Sequence, residues 1–274
     1  MAWIDIPKLP ESQLEIARLH LHHAAQIPAI IARSYLGIHE EDKHANLGWV
    51  PEIHALVSHP IPGPSGDIFI ALQFNEPGIL IFEESFSTQI PLMGNDWNTL
   101  FKEVVKTLEE RGLDLSKVSL DQPYKDDLPD FQTCDNEFDI SDIEAFQALG
   151  AYFGNTNSLL AEIFHDDCEA SGIRSWPHHF DIASLLDVGD GKSIGVGMSP
   201  GDGSSPLPYI YINMWPYPDT EKVDLPGLSK GKWNTEGWVG TVLRANEFAG
   251  LDTQKEIIET FIRESVSGAR ELLQ

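Results

Sequence analysis

The sequence repeats a set of short motifs in the same order at a nearly constant spacing. Ser12 to Glu15 (SQLE) and Ser141 to Glu144 (SDIE) share a Ser-x-x-Glu pattern that is typical of a helix start. The segments Asp67 to Leu72 and Ser193 to Met198 both carry an apolar residue at every second position, which predicts strands. We therefore expect an internal duplication of one helix–antiparallel strands–helix unit.

The second copy is predicted to carry an insertion. Helical segments that begin at Lys102 and Lys255 lie farther apart than the strand motifs do, and two Pro- and Gly-rich stretches after Met198 account for the surplus. Both copies are expected to form one compact pseudo-symmetric unit. The predicted organisation is a first repeat at 1–120, an acidic connector at 121–140 and a second repeat at 141–274.

Strands that follow one another without helical segments between them predict antiparallel pairing and the α+β class. We expect the helices to cover one face of each sheet, with Val104, Val105, Ile257 and Ile258 in the core. In the second copy the alternation places Ile210, Ile212 and Met214 on the covered face. The opposite face carries Tyr209, Tyr211, Asn213 and Trp215.

Composition excludes several classes of partner. The chain has 18 Lys and Arg against 43 Asp and Glu, a formal charge of -25, so its average surface repels nucleic acid. It has no basic amphipathic helix and no apolar run long enough for a membrane span. Cys134 and Cys168 are too few and too far apart for a disulfide scaffold. The chain also starts without a signal-peptide pattern, so we expect a soluble, cytoplasmic protein.

Three motifs of the second copy resemble those of a known group of proteins. The stretch Trp176 to Asp181 (WPHHFD), the loop Ser199 to Asp202 (SPGD) and the aromatic run Tyr209 to Pro218 are similar to a family of uncharacterised bacterial proteins. The resemblance implies a bacterial, cytoplasmic protein. It supplies no activity and no catalytic residue, because the function of that family is unknown.

The polar face of the second copy is the predicted binding surface. Glycines inside a strand mark a bulge, a bend or a close approach to the backbone, so Gly195 and Gly197 are expected to leave space there. His179 and Asp181, two residues apart on a predicted strand, would point to the same face. The complete set of ligand-binding candidates is His178, His179, Asp181, Gly195, Gly197, Asp202, Tyr209, Tyr211 and Asn213.

A metal site is a further hypothesis. In the first copy Glu52 and His54 align with His179 and Asp181, so a pseudo-two-fold arrangement could bring together two imidazoles and two carboxylates for a divalent metal. Separate hydrogen bonds between each His and its acid are the common alternative.

The sequence assigns no reaction, so whether the chain is an enzyme stays open. It has no nucleophile elbow, no phosphate-binding loop and no HExxH zinc helix. We expect binding of a small molecule or metal on the polar face. The alternatives are a non-catalytic homo-oligomeric assembly module, which would use the same aromatic residues, and a hydrolase with Asp202 as general base beside His178 or His179.

Overall fold

The computed structural model describes residues 3–121, 123–124, 128–130 and 137–274. It is an α+β structure with four α-helices and two antiparallel sheets. The chain forms two units. The N-terminal unit contains Ser12–Gly150 and Arg174–Phe180, and the C-terminal unit contains the segment that ends at Glu11 together with Ala151–Ile173 and Asp181–Gln274.

The N-terminal unit holds an antiparallel sheet and its helices. The strand order is β1-β2-β4-β5-β6, with β3 also paired to β4. Short 3-10 turns precede β1 and β2. The elements in chain order are α1 (Glu11–Tyr35), β1 (Gly48–Val50), β2 (Ala55–Val57), β3 (Ile61–Gly63), β4 (Gly66–Gln73), β5 (Gly78–Glu83), β6 (Phe86–Pro91) and α2 (Trp97–Glu110).

The next elements belong mainly to the C-terminal unit. Helix α3 (Ile143–Ile163) crosses the boundary at Gly150, and β7 (Arg174–Trp176) belongs to the N-terminal unit. The strands of the C-terminal unit lie in the order β11-β12-β10-β9-β8. They and the last helix are β8 (Asp181–Gly189), β9 (Lys192–Ser199), β10 (Tyr209–Trp215), β11 (Lys232–Asn234), β12 (Gly240–Arg244) and α4 (Gln254–Leu272).

The two sheets share a pairing register. Leu56 pairs with Leu72 in the N-terminal sheet, and the residues 126 positions later, Ile182 and Met198, pair in the C-terminal sheet. The next strands correspond in pairing order but not in spacing. Leu72 and Met198 pair with Ile79 and Ile210, and these pair in turn with Ile90 and Leu243.

Positive backbone φ angles also occur at corresponding places. His54 has a φ of 46° just before β2, and Phe180 has a φ of 54° just before β8. Non-glycine residues rarely adopt this conformation, so it is a specific feature of the turn that precedes each strand.

The apolar phase of the C-terminal sheet is buried as predicted. Helix α4 packs on β9, β10 and β12. The side chains of Ile194, Val196, Ile210 and Ile212 are all at most 2% exposed. Alternation along β9 and β10 therefore identified the covered face correctly. The alternate residues of these strands form the opposite face of the sheet.

The structure corrects one strand boundary. Residues 177–180 form a turn, closed by the Phe180 amide donating to the Trp176 carbonyl at 2.7 Å, and β8 begins only at Asp181. His178 and His179 are therefore not strand residues, and the alternation rule does not relate His179 to Asp181. Phe180 adopts a positive φ, so the extended backbone predicted from Trp176 to Asp181 is interrupted at this residue.

Two further predictions concern helix starts and the connector. Helix α1 begins at Glu11 and α3 at Ile143, so Ser12 lies inside its helix and Ser141 lies two residues before its helix. Of the acidic connector 121–140, residues 122, 125–127 and 131–136 lie outside the described residues. Within the described ranges, no helix is both long and apolar enough to span a membrane.

Candidate ligand-binding face

One face of the C-terminal sheet packs against α4. The opposite face, which we call the polar face, carries most of the predicted site residues. Its side chains lie in rows across β8, β9 and β10. One row contains Ala183, Gly197 and Tyr211, and the next contains Leu185, Gly195 and Asn213. A further row contains Asp187, Ser193 and Trp215.

The two in-strand glycines make room for side chains of the polar face itself. A Cβ at residue 197 would lie 2.7 Å from the Tyr211 hydroxyl, and one at residue 195 would lie 2.3 Å from the Asn213 Oδ1. Both distances are far below van der Waals contact. Gly195 and Gly197 therefore accommodate the phenol and the amide of β10, instead of leaving the open space that the sequence suggested.

Tyr211 and Asp181 form one acid–phenol pair on this face. The Tyr211 hydroxyl donates to Asp181 Oδ2 at 2.5 Å. Burial raises the pKa of Tyr211 well above its usual value, and the charge of Asp181 raises it further. The phenol therefore stays protonated and acts as a fixed hydrogen-bond donor, which holds the carboxylate in place at the start of β8.

Asp202 and Tyr209 form a second pair, but this one organises a loop. Asp202 Oδ1 accepts from the Ser204 amide at 2.7 Å, the Ser204 hydroxyl at 2.7 Å and the Ser205 amide at 3.0 Å, while Oδ2 accepts from Tyr209 at 2.5 Å. Burial acts to raise the pKa of Asp202, but the hydrogen bonds from Tyr209 and Ser204 outweigh it and lower the pKa.

A carboxylate with a lowered pKa and this many donors is a weak base near neutral pH. Its hydrogen bonds instead close the turn between β9 and β10, as expected for an aspartate that binds backbone amides two and three residues ahead. The geometry therefore gives Asp202 a structural role and does not favour the hydrolase hypothesis.

Exposure increases along β10 across the polar face. Tyr209 is only 9% exposed, Tyr211 and Asn213 are partly buried, and Trp215 is 60% exposed. Leu185, in the same row as Asn213, is 48% exposed. The indole of Trp215 meets the Tyr217 ring in a T-shaped contact with centroids 5.7 Å apart. The accessible part of the face therefore begins at Tyr211 and Asn213 and ends in an aromatic pair.

Trp215 and Leu185 were not among the predicted site residues. The alternation along β10 did place Trp215 on this face, but only Tyr209, Tyr211 and Asn213 were predicted as binding residues. Leu185 could not be found in this way, because its place beside Gly195 depends on the register between β8 and β9.

The remaining candidates lie in the N-terminal unit. His178 and His179 are neighbours in the turn before β8, with ring centroids 4.3 Å apart, and His178 also stacks on Tyr124 at 4.1 Å. Glu52 lies in the 3-10 turn before β2, and His54 adopts its positive φ directly after that turn.

The predicted metal ligands do not form a metal centre. Across the residues that the structure describes, no group of three or more His, Cys, Asp or Glu side chains is arranged to hold a metal ion. In the shared register each residue of the N-terminal sheet corresponds to the residue 126 positions later. His179 therefore corresponds to Ile53, and Asp181 corresponds to Ala55. The alignment that suggested the four ligands was therefore displaced by one residue.

The chain was compared with protein families, curated proteins and solved structures. No family model, curated protein or solved structure matches it.

Proposed function

We propose that the polar face binds a small molecule that is rich in hydrogen-bond donors, and that a sugar or another polyol is the class that fits best. The observation that carries the proposal is the Tyr211–Asp181 pair, which lies on the same face as the exposed Trp215 edge. Because its proton is already given to Asp181, the Tyr211 hydroxyl can only accept a hydrogen bond from a ligand, while Asp181 Oδ1 is itself buried.

The rest of the face supports the same class of ligand. Asn213 adds an amide, and Asp187 in the last row is an exposed carboxylate. Leu185 and Trp215 add apolar surface beside these acceptors. A sugar presents hydroxyl donors at its edge and C–H groups on its ring faces, so it matches a surface with both carboxylate oxygens and an aromatic ring.

The length of the accessible face agrees with a small ligand. Tyr211 and Trp215 are four residues apart on one strand, which corresponds to about 13 Å. A monosaccharide or disaccharide fits this span. We place binding ahead of catalysis, because the one carboxylate considered as a general base is occupied by its loop.

Ligand-observed NMR with a panel of neutral monosaccharides and disaccharides tests the proposal. Saturation transfer to at least one sugar should be lost in Trp215→Ala and reduced in Tyr211→Phe. Leu185→Ala should weaken binding, whereas Leu251→Ala, which removes a similarly exposed leucine elsewhere in the unit, should leave it unchanged. If no sugar gives a signal, or if both leucine variants behave alike, the proposal is wrong.

A homo-oligomeric assembly module is the second candidate, favoured by the exposed aromatic pair of Trp215 and Tyr217. Exposed Trp and Tyr side chains are common anchors at protein interfaces. Sedimentation velocity tests it: assembly through this pair requires an oligomer that Trp215→Ala dissociates. A wild-type protein that sediments as a monomer at all concentrations would exclude this function.

We also propose that the two units arose by duplication of one helix–strands–helix unit. The support is the shared register, in which paired residues recur 126 positions later, and the positive φ at His54 and Phe180. In a crystal structure β4 and β5 should superpose on β9 and β10 with Leu72 on Met198. A superposition that requires another register would contradict the duplication.

The cellular setting of the proposed function is the bacterial cytoplasm. The support is the WPHHFD resemblance together with the low number of cysteines in the chain. Fractionation of cells that express the native gene would test the location.

A further inference from the structure

The N-terminal unit has an open surface cavity at the β5–β6 hairpin. Its volume is about 520 Å³, within the range of small-molecule sites. Ile53, Leu80, Phe82 and Phe86 give it apolar walls, and Glu83 and Glu84 give it acidic groups. It lies in a different unit from the polar face, so its occupant is a separate question.

The apolar wall is supported from behind. Leu80 and Phe82 pack on a cluster of buried side chains formed by Ala55, Val57 and Ala71. The Phe82 ring also stacks on Phe69 with centroids 5.2 Å apart. The wall is therefore held in place before any ligand arrives, which reduces the entropy lost on binding.

The two acids of the cavity differ in their pairing. Glu83 forms an ion pair with Arg111, whose guanidinium carbon also lies 4.5 Å from the centre of the Phe86 ring. This pair matches a positive charge with a negative one. Glu84 is exposed at the hairpin turn, and within the described ranges it has no ion pair or side-chain hydrogen bond. The charge left over at the cavity is negative.

We propose that this cavity binds an organic cation with an apolar or aromatic body, such as an arylalkylamine. The apolar walls take up the body of the ligand, and Glu84 attracts its ammonium group. The net charge of -25 acts in the same direction, because it repels anions such as fatty acids.

Three probes of one shape test the charge preference. 4-Phenylbutylamine, 4-phenylbutanol and 4-phenylbutanoate carry a positive, a neutral and a negative group on the same body. Titration calorimetry or NMR titration of the full chain should show that the amine binds about 2- to 5-fold more tightly than the alcohol, as for a partly exposed charge pair. The carboxylate should bind most weakly. Equal binding of all three, or no binding of the amine, would overturn the proposal.

Variants that remove one negative charge test whether the amine binds at this cavity. Glu84→Gln should reduce the affinity for the amine by about 2- to 5-fold and leave that for the alcohol unchanged. Glu76→Gln is the matched control, because it removes the same charge from an exposed turn at the other end of β5. If both variants weaken amine binding equally, the attraction comes from the overall charge and the site assignment is wrong.

The apolar wall needs its own test. Phe82→Ala should weaken binding of both the amine and the alcohol by about tenfold or more, from the loss of a buried aromatic contact. Because Phe82 supports a buried cluster, Ser87→Trp is a second variant: it fills the cavity from an exposed position. A folded Ser87→Trp protein that binds the amine as tightly as the wild type would contradict the site.

Discussion

Acid should destabilise the N-terminal unit through two buried histidines of α1. His20 and His22 are 2% and 5% exposed. Burial lowers the pKa of His22 to about 3, with further lowering by His23 and Arg18. Burial also lowers the pKa of His20 to about 4, although the charge of Asp139 opposes the shift. The folded protein therefore keeps both imidazoles neutral at a pH where the unfolded chain, with pKa values near 6.5, protonates them.

The sign and size of the effect follow from proton linkage. Between about pH 4 and pH 6.5 the unfolded state binds more protons, so the free energy of unfolding rises with pH and is lost on acidification. A histidine that is protonated in the unfolded chain and neutral in the folded protein adds about 1.4 kcal/mol per pH unit to the slope of the free energy of unfolding. The two together give a slope of roughly 2.7 kcal/mol per pH unit near pH 5.

Urea unfolding of matched variants measures this slope. His22→Gln keeps a polar side chain but cannot titrate, so the slope near pH 5 should fall by about 1.4 kcal/mol per pH unit relative to the wild type. The control His165→Gln changes a histidine whose side chain is 80% exposed and should leave the slope unchanged. Other acids titrate in both proteins and cancel in the comparison. If His22→Gln has the wild-type slope, the buried imidazole is not neutral and the reasoning fails.

Three further predictions concern the C-terminal unit. Gly197→Ala should destabilise the protein by about 1 to 3 kcal/mol in urea unfolding, because its Cβ would lie 2.7 Å from two side-chain atoms, while Gly203→Ala, which meets no atom within 4 Å, should have little effect. Ile212→Ala should cost about 2 to 5 kcal/mol, since the side chain is fully buried, whereas Ile38→Ala at a 94% exposed position should cost under about 0.5 kcal/mol. Asp202→Ala should speed amide hydrogen exchange in the loop between β9 and β10, and unchanged exchange would contradict its anchoring role.

The sequence predicted β9 and β10 of the C-terminal sheet well, because the period of two along these strands is a local property. It was less successful in the helices. Val104 and Ile258 are buried, but their neighbours Val105 and Ile257 are only partly buried. Adjacent helical positions lie about 100° apart, so one of each pair points away from the centre of the apolar stripe.

The errors at the site have a common physical cause. Gly195 and Gly197 were correctly recognised as unusual, but the groups that lie over them come from β10, which only the strand register reveals. His179 was placed on a strand because nothing local predicts a positive φ at Phe180. Both cases depend on contacts or backbone geometry that composition and spacing do not encode.

The edge strands of the two sheets differ in how well they resist pairing with strands of other molecules. The path of the N-terminal sheet ends at β6, a six-residue strand (FSTQIP) without a charged side chain. One end of the C-terminal sheet is β11, which pairs with β12, has only three residues and begins with Lys232. Short edge strands with lysine resist pairing with strands of other molecules. This short strand therefore protects its end of the C-terminal sheet from such pairing, whereas β6 depends on the strong negative charge of the chain. Aggregation through β6 should set in first where acid or salt weakens that repulsion.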